Sequence, residues 1–109
     1  MSNKRELLPG TLDMLILGTL TVQSMHGYGI AQHIQRLSKD KLRVEEGSLY
    51  PALQRMRQKG WIKAPWGQTP NNQRARYYTI TTLGQRQLGE QEASFAELLD
   101  AISRVMRPA

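Results

Sequence analysis

The run from Gly47 to Tyr78 restricts the fold of this chain more than any other stretch, because a short helix there must stop at Gly60 and pass directly into a basic, aromatic, extended segment. Leu49, Leu53 and Met56 recur at helical spacing and define one inward face. At about 100° per residue, Gly47, Pro51, Gln54 and Gln58 fall opposite that face, with Tyr50 and Arg57 on one flank and Ser48 and Arg55 on the other. Gly60 stands where a left-handed residue commonly ends a helix. Trp61 to Trp66 and Arg76 to Thr81 then read as the two arms of a hairpin, rich in aromatic and β-branched residues. The polar segment between them, Gly67 to Ala75, is too long for a tight turn and predicts a projecting wing. A helix that turns hydrogen-bonding groups outward beside a basic ribbon is suited to reading base edges.

The remaining elements are mostly helical. After a frayed start, Pro9-Gly10-Thr11 precedes a buried helix on which Leu12, Leu15, Ile16, Thr19 and Leu20 recur, with Asp13 placed in its first turn to complement the helix dipole. Met25-His26-Gly27-Tyr28-Gly29 interrupts the pattern, and Ile30, Ile34 and Leu37 mark a second amphipathic helix ending near Ser38. Lys41-Leu42-Arg43-Val44 alternates like a short strand, and Glu45 and Glu46 precede the third helix, where carboxylates satisfy free amides. Thr82 with Gln85 three residues on reads as a capping box opening a last helix that runs to about Arg107 despite the helix-weakening Gly84 and Gly89. The expected architecture is mainly α with a small β wing: a head over residues 1–81 and a long C-terminal helix over 82–109.

Charge follows this division. The formal charge is +6, but residues 1–89 hold 13 basic and 5 acidic side chains whereas residues 90–109 hold 2 and 4. A basic head favours a polyanionic partner, since neutralising phosphates releases condensed counterions. Trp61, Trp66, Tyr77 and Tyr78 are expected to pack the wing onto the helices rather than to stack on bases. No cysteine is present, no apolar run approaches the roughly 20 residues a bilayer requires, and Lys4-Arg5-Glu6 does not open a secretory signal, so a cytoplasmic protein without membrane contact is expected. His26 and His33 lack a carboxylate or thiolate nearby and are assigned to local hydrogen bonding, not to a metal. His26-Gly27-Tyr28-Gly29 lacks the third glycine and preceding strand of a nucleotide loop, and Ser48 has no base partner, so neither a cofactor nor an enzyme is expected.

A last helix of about 25 residues extends on the order of 37 Å, more than a head this small can cover. Along it Leu88, Phe95 and Ile102 keep a seven-residue interval, as do Gln91, Leu98 and Val105, with Leu99 and Met106 broadening the stripe. Such a seam is self-complementary about a twofold axis, which predicts a homodimer in preference to a helix folded back on its own head.

Leu12-Asp13-Met14-Leu15-Ile16-Leu17, His26-Gly27-Tyr28-Gly29-Ile30, Gly47-Ser48-Leu49-Tyr50-Pro51-Ala52-Leu53, Gly60-Trp61-Ile62 and Arg76-Tyr77-Tyr78-Thr79-Ile80-Thr81 with Gly84 occur in an order and spacing that resembles the PadR family of bacterial transcriptional regulators over nearly the whole chain. Ser48 replaces the more usual threonine and keeps the hydroxyl; the acidic pair Glu45-Glu46 is less expected beside DNA. The resemblance implies a winged helix-turn-helix DNA-binding domain over residues 1–81 and, as in the short form, one C-terminal dimerisation helix over 82–109, the whole a repressor bound as a homodimer to a pseudo-palindromic operator in double-stranded DNA. It further implies a recognition helix in the major groove, with Ser48, Tyr50, Pro51, Gln54 and Arg55 near bases or flanking phosphates. Of these, Gln54 and Arg55 suit bidentate reading of adenine and guanine. Lys59, Lys63, Arg74 and Arg76 are the expected backbone contacts, Arg74 foremost. Phe95 matches the position where multidrug-binding members place an aromatic that stacks a small hydrophobic effector, although ordinary dimer core is the simpler assignment for it. The competing expectation is a dimeric protein-interaction module with nonspecific affinity for polyanions.

Overall fold

The computed structural model describes residues 9–107, so the expected frayed start over residues 1–8 lies outside the described residues. Four helices and two short strand pairs follow in the order α1 (Pro9–Val22), α2 (Gly27–Leu37), α3 (Glu46–Gln58), β1 (Ile62–Lys63), β2 (Trp66–Gln68), β3 (Arg74–Arg76), β4 (Thr79–Ile80) and α4 (Thr82–Met106). This is a winged helix-turn-helix with a long C-terminal helix. The apolar helix α1 is central because Leu12, Ile16, Leu17 and Leu20 are buried against Ile30 and Ile34 of α2, Leu49, Ala52, Leu53 and Met56 of α3, and Ile62 of β1. The tripeptide Pro9-Gly10-Thr11, expected to precede α1, is part of it, which puts Asp13 beyond the first turn. Asp13 therefore does not serve the dipole; one turn before the buried Leu17, it faces the interior.

His26 caps α2, its Nδ1 accepting from the Gly29 amide at 3.0 Å. Gly27 is buried because the Tyr50 ring lies over it: a Cβ there would meet the Tyr50 hydroxyl at 2.7 Å. Lys41–Val44 is not a strand. Leu42 and Val44 do turn inward and pack on the core, but the segment has no pairing partner among the described residues, and the Ser38 hydroxyl holds it by accepting from the Leu42 amide at 3.0 Å. Glu45 occupies the N-cap of α3 without the side-chain capping bond expected of it, although Glu46 does fall in the first turn.

Gly60 is left-handed at φ 78°. Beyond it, β1 pairs with β4 and β2 with β3 in a single antiparallel register, Ile62 opposite Ile80 and Trp66 opposite Arg76, so one hairpin runs through both pairs. It is interrupted where Pro65 has no amide to give and where Tyr78 pairs with Met25 instead, donating to the Met25 carbonyl at 2.8 Å. The strands reach further into the wing than expected, to Gln68 and Arg74, leaving a tip of 69–73 that turns on Asn72 at φ 62°.

The N-cap of α4 is Thr81, not Thr82; its hydroxyl accepts from the Gly84 amide at 3.0 Å, and glycine there cannot return the side-chain bond of a capping box. The helix is 25 residues long. Its first half lies on the head, where Leu88, assigned to the seam from spacing, packs against the protomer's own core. From Glu92 to Arg107 every residue is exposed in the protomer.

Candidate nucleic-acid interface

The outward face of α3 carries Gly47, Ser48, Tyr50, Pro51, Gln54 and Gln58, all exposed, because Leu49, Ala52, Leu53 and Met56 take the inward positions. Pro51 sits in the second turn, where its missing N–H leaves the Gly47 carbonyl without an i+4 donor on this same face. Arg57 Nη1 donates to Gln54 Oε1 at 3.2 Å, which orients the carboxamide while leaving its NH2 group outward. These groups present a mixed donor and acceptor surface of the kind that reads base edges.

Arg55 is not part of that surface. Its guanidinium turns back over α1 and binds the carboxylate of Asp13, which is buried. A buried carboxylate needs a charge-assisted partner, so the ion pair takes the side chain that spacing had assigned to guanine. The sequence carries part of the signal: Asp13 lies one turn from Ile16 and Leu17 on an apolar helix, where a buried carboxylate needs a hydrogen-bonding or charged partner. Arg55→Ala is accordingly expected to lower stability by about 2 kcal/mol by leaving Asp13 unpaired. The Asp13→Ala, Arg55→Ala double variant should recover part of this loss in urea unfolding. A loss confined to DNA binding, with stability unchanged, would return Arg55 to the reading face.

The wing lies beside α2 and α3. Tyr28, Gln32, Tyr50, Trp66, Arg74 and Arg76 line an open cleft of about 640 Å³ between the N-terminal turn of α2, the start of α3 and the wing. Tyr28, 63% exposed, and Gln32 were not singled out from sequence, where the Met25–Gly29 segment is read as an interruption between two helices. Lys59 Nζ lies 4.7 Å from the centre of the Trp61 ring at the C-cap of α3, and Lys63 is exposed on β1; neither lines the cleft. Of the four aromatics assigned to wing packing, Tyr78 is buried and Trp61 and Tyr77 are half-buried, but Trp66 is exposed. Burial raises the Tyr78 hydroxyl above its ordinary pKa of 10.0, with Tyr50 adding to the shift and Arg57 and Arg76 opposing it. The neutral form is the one the fold favours, so this contribution to stability is complete below that value and is lost only in strongly alkaline solution.

Among the described residues, no helix is long and apolar enough to cross a membrane. Compared with known proteins, the chain is similar to an uncharacterized protein of Lysinibacillus sphaericus, at 30% identity over 94% of each chain. Its structure is similar to a transcriptional regulator from Clostridium thermocellum, with a TM-score of 0.83 and 26% identity over 90% of this chain and 95% of that one. A PadR-like transcriptional regulator from Bacillus cereus gives a TM-score of 0.77 and 25% identity over 92% and 95% of the two chains. The family model for the transcriptional regulator PadR-like family matches residues 16–90, which span all of α2, α3 and the wing together with parts of α1 and α4. The helix-turn-helix, the wing and the long last helix are thus those of relatives as well as of this chain, which belongs to the PadR-like family of transcriptional regulators.

Proposed function

We propose that this DNA-binding regulator acts as a homodimeric repressor on a pseudo-palindromic operator. The observation that carries the reading is the pairing of an outward polar face on α3 with a basic wing across one cleft, while the second half of α4 leaves Phe95, Leu98, Leu99, Ile102, Val105 and Met106 uncovered. Uncovered apolar stripes of this extent mark interfaces, and a twofold pairing of the two α4 helices sets the recognition helices about one helical turn, roughly 34 Å, apart. In the complex, Ser48, Tyr50, Pro51 and Gln54 face the major groove, Gln54 reads a base, and Arg74 and Arg76 hold the backbone at the wing; Lys59 and Lys63 add to the field. A small hydrophobic effector relieves repression by stacking on Phe95 in a dimer state whose recognition helices have the wrong spacing. The shallow groove beside Phe95, formed with Gly10, Thr11, Met14, Gln91, Ser94 and Leu98, supports this.

Selection from random DNA duplexes at two salt concentrations tests the reading. Enrichment of a two-part inverted repeat is the expected result. Salt-sensitive retention without enrichment would leave a nonspecific binder, and no retention would favour a protein-interaction module. Arg74→Ala should weaken binding to every duplex and reduce the slope of log affinity against log salt by about one. Gln54→Ala should instead change the selected sequence, and identical effects from the two variants would contradict the division of roles.

A further inference from the structure

Trp66 has no part in the roles described so far, yet its large ring is 55% exposed in the wing. Cross-strand register sets Trp66 opposite Arg76 and Gln68 opposite Arg74. Side chains two apart on a strand share a face, so Trp66, Arg74 and Arg76 project from the same side of the wing. The guanidinium carbon of Arg74 lies 4.7 Å from the centre of the indole, and that of Arg76 lies 4.5 Å away. Arg76 is held further by Nη1 donating to the Ala64 carbonyl at 2.8 Å. The other face of the ribbon is differently used. Gly67 has no side chain, and the Tyr77 ring fills the space, within 2.8 Å of where a Cβ would stand, its hydroxyl donating to the Gln68 carbonyl at 3.0 Å. Tyr77 thus packs the wing to the head, while Trp66 carries cations into the cleft that Tyr28 and Tyr50 also line.

A half-exposed indole contributes less to the core than a buried one, so packing alone does not account for its place. Two like charges beside one ring repel each other, and the electron-rich face of the indole offsets that repulsion. Arginine side chains carry large rotamer entropy, and fixing them before binding removes part of the ordering cost of the complex. We propose that Trp66 is a positioning residue: its indole pre-orders Arg74 and Arg76 for the phosphates of the DNA backbone beside the wing. The inference rests on the DNA-binding reading above and adds to it a residue that acts through two others without contributing charge.

The test is a double-mutant cycle on the full chain with a labelled duplex of mixed sequence, which suffices because phosphate contacts are independent of sequence. Trp66→Leu should weaken binding on the order of tenfold at both low and high salt. The salt slope should stay as in the unsubstituted protein, because both arginine charges remain. In an Arg74→Ala, Arg76→Ala background the same change should cost less than about twofold, since coupled residues are non-additive. Trp66→Phe should restore most of the affinity, and each Trp66 variant should remain folded at the assay temperature by circular dichroism. In the free protein, the δ-proton resonances of Arg74 and Arg76 should be shifted upfield by the indole ring current and lose that shift in Trp66→Leu. Equal Trp66→Leu penalties in both backgrounds, or unshifted arginine resonances in the unsubstituted protein, would overturn the platform while leaving DNA binding intact. An unsubstituted protein that binds no duplex at any salt would overturn the DNA-binding reading itself.

Discussion

Phe95→Arg is expected to halve the mass of the particle in solution and to lower affinity for an inverted-repeat operator on the order of a thousandfold. Phe95 lies midway along α4 and is 38% exposed, the least of the six large apolar side chains left uncovered beyond Glu92. A twofold axis near it would bring the two copies of this residue close together, so the substitution sets two guanidinium groups against each other in a desolvated seam. Loss of the dimer removes the second half-site, and bivalent attachment of this kind contributes about 10² to 10⁴ in affinity without any new contact. Light scattering reads the mass and a filter or anisotropy assay the affinity. Helix content by circular dichroism should be retained, because the first half of α4 is held by the head through Leu88 and Gly84. An unchanged mass would sink the assignment of this stripe as the dimer seam.

Gly84→Ala is expected to destabilise the fold by about 3 kcal/mol, which for a chain of this size lowers the unfolding midpoint on the order of 15 °C. The reason is a close approach of backbone to backbone: a Cβ on Gly84 would lie 2.1 Å from the Trp61 carbonyl oxygen and 2.9 Å from Ile80 Cγ1. The carbonyl cannot move aside without loss, since it accepts from the Thr81 amide at 3.0 Å and from the Thr81 hydroxyl at 3.0 Å. That hydroxyl in turn caps α4 through the Gly84 amide. One methyl group therefore strains the junction that fixes α4 to the wing, so both should unfold at lower temperature. A neighbouring Gly89→Ala, with open space around it, should raise stability by a few tenths of a kcal/mol to about 1 kcal/mol through helix propensity alone. Calorimetry of the two variants decides the matter, and equal midpoints would contradict the packing argument.

The two glycines look alike in the sequence, each a weak point in a helical pattern. Only the folded chain separates them, because the neighbour of Gly84 is a carbonyl more than twenty residues away along the chain. Local order was legible wherever a side chain's role depends on its near neighbours. The inward face of α3, the left-handed Gly60, the C-terminal end of α2 and the length of α4 all follow from spacing and from cap chemistry. Lys41–Val44 was misread as a strand because alternation records which side is buried and is silent on whether a partner strand is at hand. Thr81 and Thr82 are adjacent hydroxyls, and the choice of cap fell to Thr81 because it also bonds the Gly60 carbonyl at 2.7 Å.

For the interface, sequence alone determined which helix presents a polar face, that a basic wing follows it, and that the last helix carries an apolar stripe too long for the head, since periodicity, charge and length are properties of the chain itself. Tertiary structure decided which of these side chains are available. Arg55 is committed to Asp13 across 42 positions of sequence and Leu88 to the protomer's own core, whereas Arg74 and Arg76 lie beside the ring of Trp66 and still line the cleft. Each of those commitments is an electrostatic or packing contact between elements, and its strength depends on distance and burial in space, which residue order does not contain.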